Sequence, residues 1–275
     1  MKRERLVEAM DLLEGEGMWK RSGTGDKRKI LDEVFDERTL KALHKLMNAG
    51  ILQTLDFPVA TGKEATVFVG LTKKADEVAV KVYRVGNATF NSIRRYIQDD
   101  PRFKAVGRDR RSVIFAWAVK EYKNLLRMHE AGVTVPSPVA HLENVLVMEY
   151  LFVGDGHEPA PSLKGARGFD APAVYEALRK DVRRMVAKAR LVHGDLSEYN
   201  VLLAEGRPHI IDVGQAVVLD HPRAKEFLRR DAENVARFFG RLKVGEGAAD
   251  LYEFWSHGVS FERRRGRGRA GGEEE

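Results

Sequence analysis

An aspartate five positions ahead of an asparagine, with a second aspartate beyond two short apolar runs, constrains this chain more than any other feature. His193-Gly194-Asp195-Leu196-Ser197-Glu198-Tyr199-Asn200 leads straight into Val201-Leu202-Leu203, and Ile210-Ile211-Asp212-Val213-Gly214 follows. The apolar runs predict short strands at 201–204 and 209–212. Paired as a hairpin, they would gather Asp195, Asn200 and Asp212 around one point. A fold for this chain has to serve that gathering.

Around the hairpin the texture changes twice. Asp36 can cap a helix whose Leu40, Leu43, Leu46 and Met47 share one face, and Gly50 can end it. Val- and aromatic-rich runs at 57–60, 65–71 and 77–83 predict an antiparallel meander. A helix follows at 113–130, then strands at 139–142 and 145–151. Beyond a Gly- and Pro-bearing connector at 154–161, the pattern is mainly helical, at 172–190, 222–242 and 247–257. The prediction is an α+β fold with two lobes. Residues 1–50 form a helical extension, 51–152 a strand-rich lobe and 153–258 a helical lobe, with a tail at 259–275. Residues 84–111 are polar and arginine-rich and read as a long mobile loop. Thr89, Ser92 and Ser112 are the hydroxyls in and beside it. In the tail, Arg263, Arg264, Arg265, Arg267 and Arg269 mix with glycine before Glu273-Glu274-Glu275, a composition that reads as disordered.

Hydrophobic residues make up 43% of the chain, enough for a real core. The absence of cysteine excludes disulfides and cysteine-based zinc sites and suits the cytoplasm. No apolar run reaches the roughly 18 residues of a membrane span. The net charge of +6 suits a polyanionic partner, and Arg94, Arg95, Arg102, Arg108, Arg110 and Arg111 fit either a solvated loop or an RNA contact.

The hairpin residues suit phosphoryl transfer. Mg²⁺ needs hard oxygen ligands beside the phosphates, and a carboxylate must orient or deprotonate the attacking oxygen. Asp195 fits the carboxylate role, while Asn200 and Asp212 fit the metal. Upstream, Val78-Ala79-Val80-Lys81 ends a strand in a lysine that can reach α- and β-phosphate oxygens. Glu121 is its best-placed carboxylate partner, with Glu130 and Glu143 as rivals. Thr61, Gly62 and Lys63 lie in a turn able to offer backbone N–H groups to phosphates. The backbone of Glu149 and Leu151 can bind an adenine edge. His193 reads as structural, and Trp117, Phe238 and Phe239 read as core.

This combination resembles the protein kinase superfamily, and within it the first branch of the RIO family of atypical kinases, in its archaeal or prokaryote-like form. The carriers are Ala60-Thr61-Gly62-Lys63-Glu64-Ala65, His193–Asn200, Ile211-Asp212-Val213-Gly214-Gln215, and the helix motif from His221 to Asp231. The resemblance implies a truncated kinase fold using ATP with Mg²⁺, or Mn²⁺ in its place. It also implies a serine/threonine kinase or ATPase in maturation of the small ribosomal subunit, with rRNA and ribosomal proteins as partners. A transient phosphoaspartate would fall on Asp212. The chain departs from ordinary kinases in carrying Gly194 and Val213 at motif positions, and in a short passage from Gln215 to the next helix. That passage leaves no room for an activation segment or a peptide platform. Two other readings stay open: a nucleotide-binding assembly factor with little turnover, and a small-molecule phosphotransferase. The oligomeric state is not legible.

Overall fold

The computed structural model describes residues 34–85, 93–94, 96–97, 100–103, 106–107 and 109–261. Residues 1–33, Thr89, Ser92, Arg95, Arg108 and the arginine-rich tail lie outside the described residues. Helix α1 (Glu37–Asn48) opens the described chain, and Asp36 caps it by accepting the Thr39 N–H at 2.8 Å. Five antiparallel strands then build one sheet: β1 (Thr54–Thr61), β2 (Ala65–Leu71), β3 (Glu77–Tyr83), β4 (Pro138–Leu142) and β5 (Val145–Glu149), in the order β1-β2-β3-β5-β4.

Strand alternation divides this sheet into two working faces. Val78, Val80 and Val82 of β3 join Val145 and Val147 of β5 against Leu40, Leu43, Leu46 and Met47 of α1. The helix read as part of an extension therefore forms one wall of the strand-rich lobe's core. Ala79, Lys81 and Tyr83 point the other way, into the cleft. Asn144 ties the corner together. Its amide donates to Thr39 Oγ1 at 2.9 Å and to the Tyr83 carbonyl at 2.8 Å.

Helix α2 (Arg110–Glu130) crosses from this lobe to the next, capped by Asp109. The second lobe holds α3 (Ala171–Ala187), α4 (Ala224–Arg241) and α5 (Ala248–Ser256). Three small two-stranded pairs accompany them: the hairpin β6 (Phe152–Val153)–β7 (Glu158–Pro159) before α3, and, between α3 and α4, the hairpin β9 (Val201–Ala204)–β10 (Arg207–Ile210) enclosed by the pair of β8 (Leu191–Val192) with β11 (Val217–Val218). The packing of α3, α4 and α5 centres on Trp255, fully buried, whose indole N–H donates to the Arg179 carbonyl at 3.0 Å.

Several boundaries differ from the sequence reading. β1 starts at Thr54, not Phe57. Pro58 has no N–H to give the ladder, so the register shifts around it on this edge strand and Phe57 turns outward, 48% exposed. β10 stops at Ile210, because Asp212 adopts a left-handed conformation, φ 57 and ψ 50, and turns the chain into a single 3₁₀ turn at Val213–Gln215. The 154–161 connector folds back as the β6–β7 hairpin. Residues 84–111 are also not loop throughout. Ile93 and Ile97, four apart, are buried in helical backbone, and Pro101–Phe103 is a 3₁₀ turn. α2 begins at Arg110, since Asp109 rather than a later residue supplies the cap.

At Gly70 the sheet has no room for a side chain. A Cβ there would lie 2.7 Å from Leu52 Cδ1 and 2.8 Å from the Thr54 carbonyl oxygen. Gly70→Ala should destabilise the protein by about 1–3 kcal/mol through overpacking against backbone that cannot yield. Denaturant melts of the two proteins check this; equal midpoints would show that β1 moves aside freely.

Candidate active site

The two lobes enclose a cleft of about 620 Å³. Its walls are apolar: Val59, Val67 and Ala79 come from the sheet, and Leu202 and Ile211 from the β9–β10 hairpin. Polar groups collect at one end, where Gly62, Lys63 and Glu64 of the β1–β2 turn face Lys81, Asn200 and Asp212. A pocket with flat apolar walls and a charged end suits a nucleobase and its phosphates.

Lys81 sits at the centre of the charged end. Alternation along β3 turns its side chain away from α1 and into the cleft. Its ammonium lies 2.8 and 2.9 Å from the two oxygens of Glu121 and 3.0 Å from Asp212 Oδ1. Glu121 is buried in the middle of α2 and also accepts from the Tyr83 hydroxyl. Glu130, exposed at the end of α2, and Glu143, in the β4–β5 turn, lie elsewhere. Burial opposes the charge on Lys81, but Asp212 and Glu121 outweigh it and hold the ammonium well above its ordinary range. Lys81 holds Asp212 below the usual carboxylate range, against burial. One ammonium cannot fully compensate two carboxylates, and the more buried one suffers. Burial pushes Glu121 up to about 7 despite the pull of Lys81.

The catalytic loop is held by buried polar groups. The Asp195 N–H donates to His193 Nδ1 at 3.2 Å, so His193 carries its proton on Nε2 and donates to the Ile211 carbonyl at 3.0 Å. That ring fastens the residue before Asp212 to the loop bearing Asp195. The Asn200 amide donates to the Asp195 carbonyl at 2.8 Å, leaving Asn200 Oδ1 as its free ligand atom. Burial raises the Asp195 carboxyl, with Arg230 and the Asn200 amide opposing. Amide nitrogens of Asn200 and Gln215 each stand 3.5 Å from Asp195 Oδ2.

Among the described residues, no group of three or more His, Cys, Asp or Glu side chains could hold a metal. Asn200 and Asp212 offer two hard oxygens beside the cleft, which fits a cation completed by phosphate oxygens and water. Thr61 departs from expectation. It is exposed at the end of β1 and does not line the cleft, because it pairs with Thr66, which faces away from the side of β2 where Ala65 and Val67 line it. Glu149 and Leu151 do line it. The Glu149 carboxylate is taken by the Ser137 N–H and hydroxyl, both at 2.9 Å, so only its backbone is left for a base.

Asp231 and Arg230 belong to the site, although the sequence reading named them only as the end of the helix motif and assigned them no role. Asp231 is fully buried and accepts from the N–H groups of Gly194 at 2.8 Å and Leu196 at 2.9 Å, while Arg230 donates to the Gly194 carbonyl. A signal existed. Phe227, Asp231 and Val235 are spaced four apart, which places an aspartate on the apolar stripe of α4. Burial pushes Asp231 from its ordinary 3.8 up to about 6, against the two N–H donors. The folded protein therefore holds this proton more firmly than the unfolded chain, and this group's share of stability falls as pH rises from about 4 to about 6. Asp231→Asn should remove that slope from a stability–pH profile. It should also cost about 1–3 kcal/mol at neutral pH, because the two N–H groups bind different carboxylate oxygens and the asparagine NH2 would face one of them, donor against donor. Urea melts from pH 4 to 8 check both, and an unchanged slope would show that Asp231 does not titrate there.

Comparison with known proteins meets this geometry. The family model described as "RIO domain" matches residues 66–251. The chain is 44% identical over 229 residues to the RIO-type serine/threonine-protein kinase Rio1 of Haloferax volcanii, covering 83% of this chain and 78% of that protein. It is 40% identical to the Methanocaldococcus jannaschii protein of the same name, covering 82% and 77%. Against the human serine/threonine-protein kinase RIO1 it is 37% identical, covering 82% of this chain but 40% of the longer human protein. The fold is shared with the Rio2 kinase from Chaetomium thermophilum, solved as an ADP/Mg²⁺-phosphoaspartate complex. The TM-score is 0.60 at 22% identity, over 93% of this chain and 77% of that one. The α+β, two-lobed, kinase-like architecture expected from the sequence is the one found. The chain is an enzyme of the RIO family of atypical protein kinases.

Proposed function

We propose that this enzyme uses Mg²⁺-ATP mainly as an ATPase, through a transient phosphoaspartate on Asp212. Serine/threonine phosphorylation would be its rarer outcome, and precursors of the small ribosomal subunit its site of action. The observation that carries this is the placement of Asp212. Its carboxylate is 44% exposed to the cleft, 3.0 Å from Lys81, on a left-handed residue that aims it at the phosphate end. Left-handed backbone is disfavoured for most side chains and tolerated by aspartate and asparagine.

In this reading the adenine lies between the apolar walls and meets the backbone of Glu149 and Leu151. The Leu151 carbonyl already accepts from the Ala160 N–H at 2.9 Å, so the base is read by the Glu149 carbonyl and the Leu151 N–H. Lys81, oriented by Glu121, binds α- and β-phosphate oxygens, and Gly62 and Lys63 cover the phosphates. Asn200 Oδ1 and Asp212 would hold Mg²⁺, which would neutralise charge developing on the phosphates. A carboxylate oxygen of Asp212 bonds to the γ-phosphorus as its bond to the β–γ bridging oxygen breaks and ADP leaves. Water then attacks that phosphorus, the Asp212 carboxylate leaves, and Asp195 takes the water's proton. Its raised pKa suits that task.

Transfer to protein hydroxyls is limited by the short stretch of chain beyond Asp212. From the Val213–Gln215 turn, only residues 216–223 lead to α4, and Val217–Val218 among them pair with β8. That leaves no platform for an extended peptide. The ribosomal setting is supported by the family resemblance and the +6 net charge, and a cytoplasmic location by the absence of cysteine. No helix among the described residues is long and apolar enough to cross a membrane. An assembly factor with little turnover is the second reading. The assembled set of Lys81, Glu121, Asn200 and Asp212 favours turnover, since binding alone does not require it.

Asp212→Asn is the cleanest variant, because asparagine keeps the left-handed backbone while removing the nucleophile. Turnover should fall below detection while the melting temperature holds. Asp195→Ala should slow turnover by on the order of 10²–10⁴. Wild-type protein quenched in acid after labelled ATP should carry label that hydroxylamine removes. Near-normal hydrolysis by Asp212→Asn would sink the assignment. Hydroxylamine-resistant label with rapid phosphorylation of a ribosomal protein would make the chain a serine kinase first.

A further inference from the structure

The buried stripe of α2 does more than orient Lys81. Lys120, beside Glu121, has no exposed surface and donates to two carbonyls of the 3₁₀ turn after Asp212: Gly214 at 2.6 Å and Ala216 at 2.7 Å. Asn124, one helical turn on, donates to the Val213 carbonyl at 2.8 Å and the Ala216 carbonyl at 3.3 Å. Trp117 forms the floor beneath them, so close to Gly214 that a Cβ there would lie 2.9 Å from its ring. Neither Lys120 nor Asn124 lines the nucleotide cleft.

These two side chains are held in turn from the segment between β3 and α2. Arg102 donates to Asn124 Oδ1 at 2.9 Å and forks onto both oxygens of Asp100, at 2.9 and 2.6 Å. Asp100 is 1% exposed and stands 3.9 Å from the Lys120 ammonium. A methionine or leucine would fill the place of Lys120 at far lower desolvation cost. What an ammonium adds is a fixed grip on the turn's carbonyls. Burial pulls Lys120 down to about 7, with Asp100 opposing, yet either form keeps two N–H donors for two carbonyls.

We propose that Asp100, Arg102, Lys120 and Asn124 form a clamp that positions Asp212 for its cation, so that the segment at residues 100–103 sets the site's affinity for Mg²⁺. The proposal rests on the Mg²⁺-ATP reading above. The direction of the Asp212 carboxylate depends on the turn that follows it, and that turn is gripped at Val213, Gly214 and Ala216 from α2. Four polar side chains reach from a segment outside the cleft to the backbone behind the metal ligand. They act through Asp212 and touch no phosphate, so they are positioning residues.

Two variants test this, Arg102→Ala and Lys120→Met, in the full chain. The first readout is hydrogen–deuterium exchange of the amides at 213–219 without nucleotide. The second is the Mg²⁺ concentration giving half-maximal ATP turnover, set against metal-free binding of a fluorescent ATP analogue in EDTA. Both variants should exchange faster at 213–219. Both should need about 10–100 times more Mg²⁺, the usual cost of losing a group that orients a metal ligand, with metal-free nucleotide affinity kept. Unchanged exchange and an unchanged Mg²⁺ midpoint in Arg102→Ala would overturn the clamp. So would Mg²⁺ and nucleotide affinities falling together with the melting temperature, which is the mark of a merely structural role. If Lys120→Met does not fold, Arg102→Ala decides alone, since its side chain is partly solvated. A wild-type protein without Mg²⁺-dependent turnover would remove the functional reading, and exchange at 213–219 would still judge the clamp.

Discussion

One ammonium between two carboxylates organises this protein. Lys81 comes from the sheet, Glu121 from the crossing helix and Asp212 from the far side of the β9–β10 hairpin, and all their contacts are within 3.0 Å. The arrangement is costly, because charges taken from water must recover that cost from each other. It is also unbalanced, with two negative groups and one positive. The imbalance falls on Glu121, whose carboxyl rises to about 7. A nucleotide's phosphates beside Lys81, with a cation on Asp212, would change that balance. The site is therefore built around charges that its substrate would share.

Around this triad, precision comes from buried polar side chains gripping backbone. His193 joins the catalytic loop to Ile211, Asp231 takes two N–H groups of that loop, and Lys120 and Asn124 take the carbonyls after Asp212. Each such group is expensive if unpaired and specific when paired. Together they fix the loops on both sides of the β9–β10 hairpin, whose Leu196, Val213 and Ala216 are also buried in the core. The short chain from Gln215 to α4 leaves those loops open to the cleft. The same economy that removes a peptide platform leaves Asp212 next to the phosphates.

Much of this was legible in the sequence. The strands, the helices and the separation of a strand-rich from a helical lobe followed from periodicity. The strand holding Lys81 and the hairpin holding Asn200 and Asp212 were placed by short apolar runs. The boundaries that shifted did so for local reasons: Pro58 at an edge, the left-handed Asp212, and Asp109 as the earlier cap. Residues 84–111 misled because arginines hid the pair Ile93 and Ile97, whose spacing needs only one helical turn. Thr61 was expected at the phosphates, yet the register with Thr66 turns it outward.

By itself, the sequence determined which residues could do chemistry, because Asp195, Asn200, Asp212 and Lys81 stand beside strands whose pattern is written in neighbouring side chains. Only the tertiary structure decided which carboxylate meets Lys81, why Asp231 is buried, and that Lys120 grips the turn behind Asp212. Those contacts join residues 35 to 131 positions apart. Such pairings depend on how α2 and α4 lie against loops from elsewhere in the chain, and local periodicity carries no information about that.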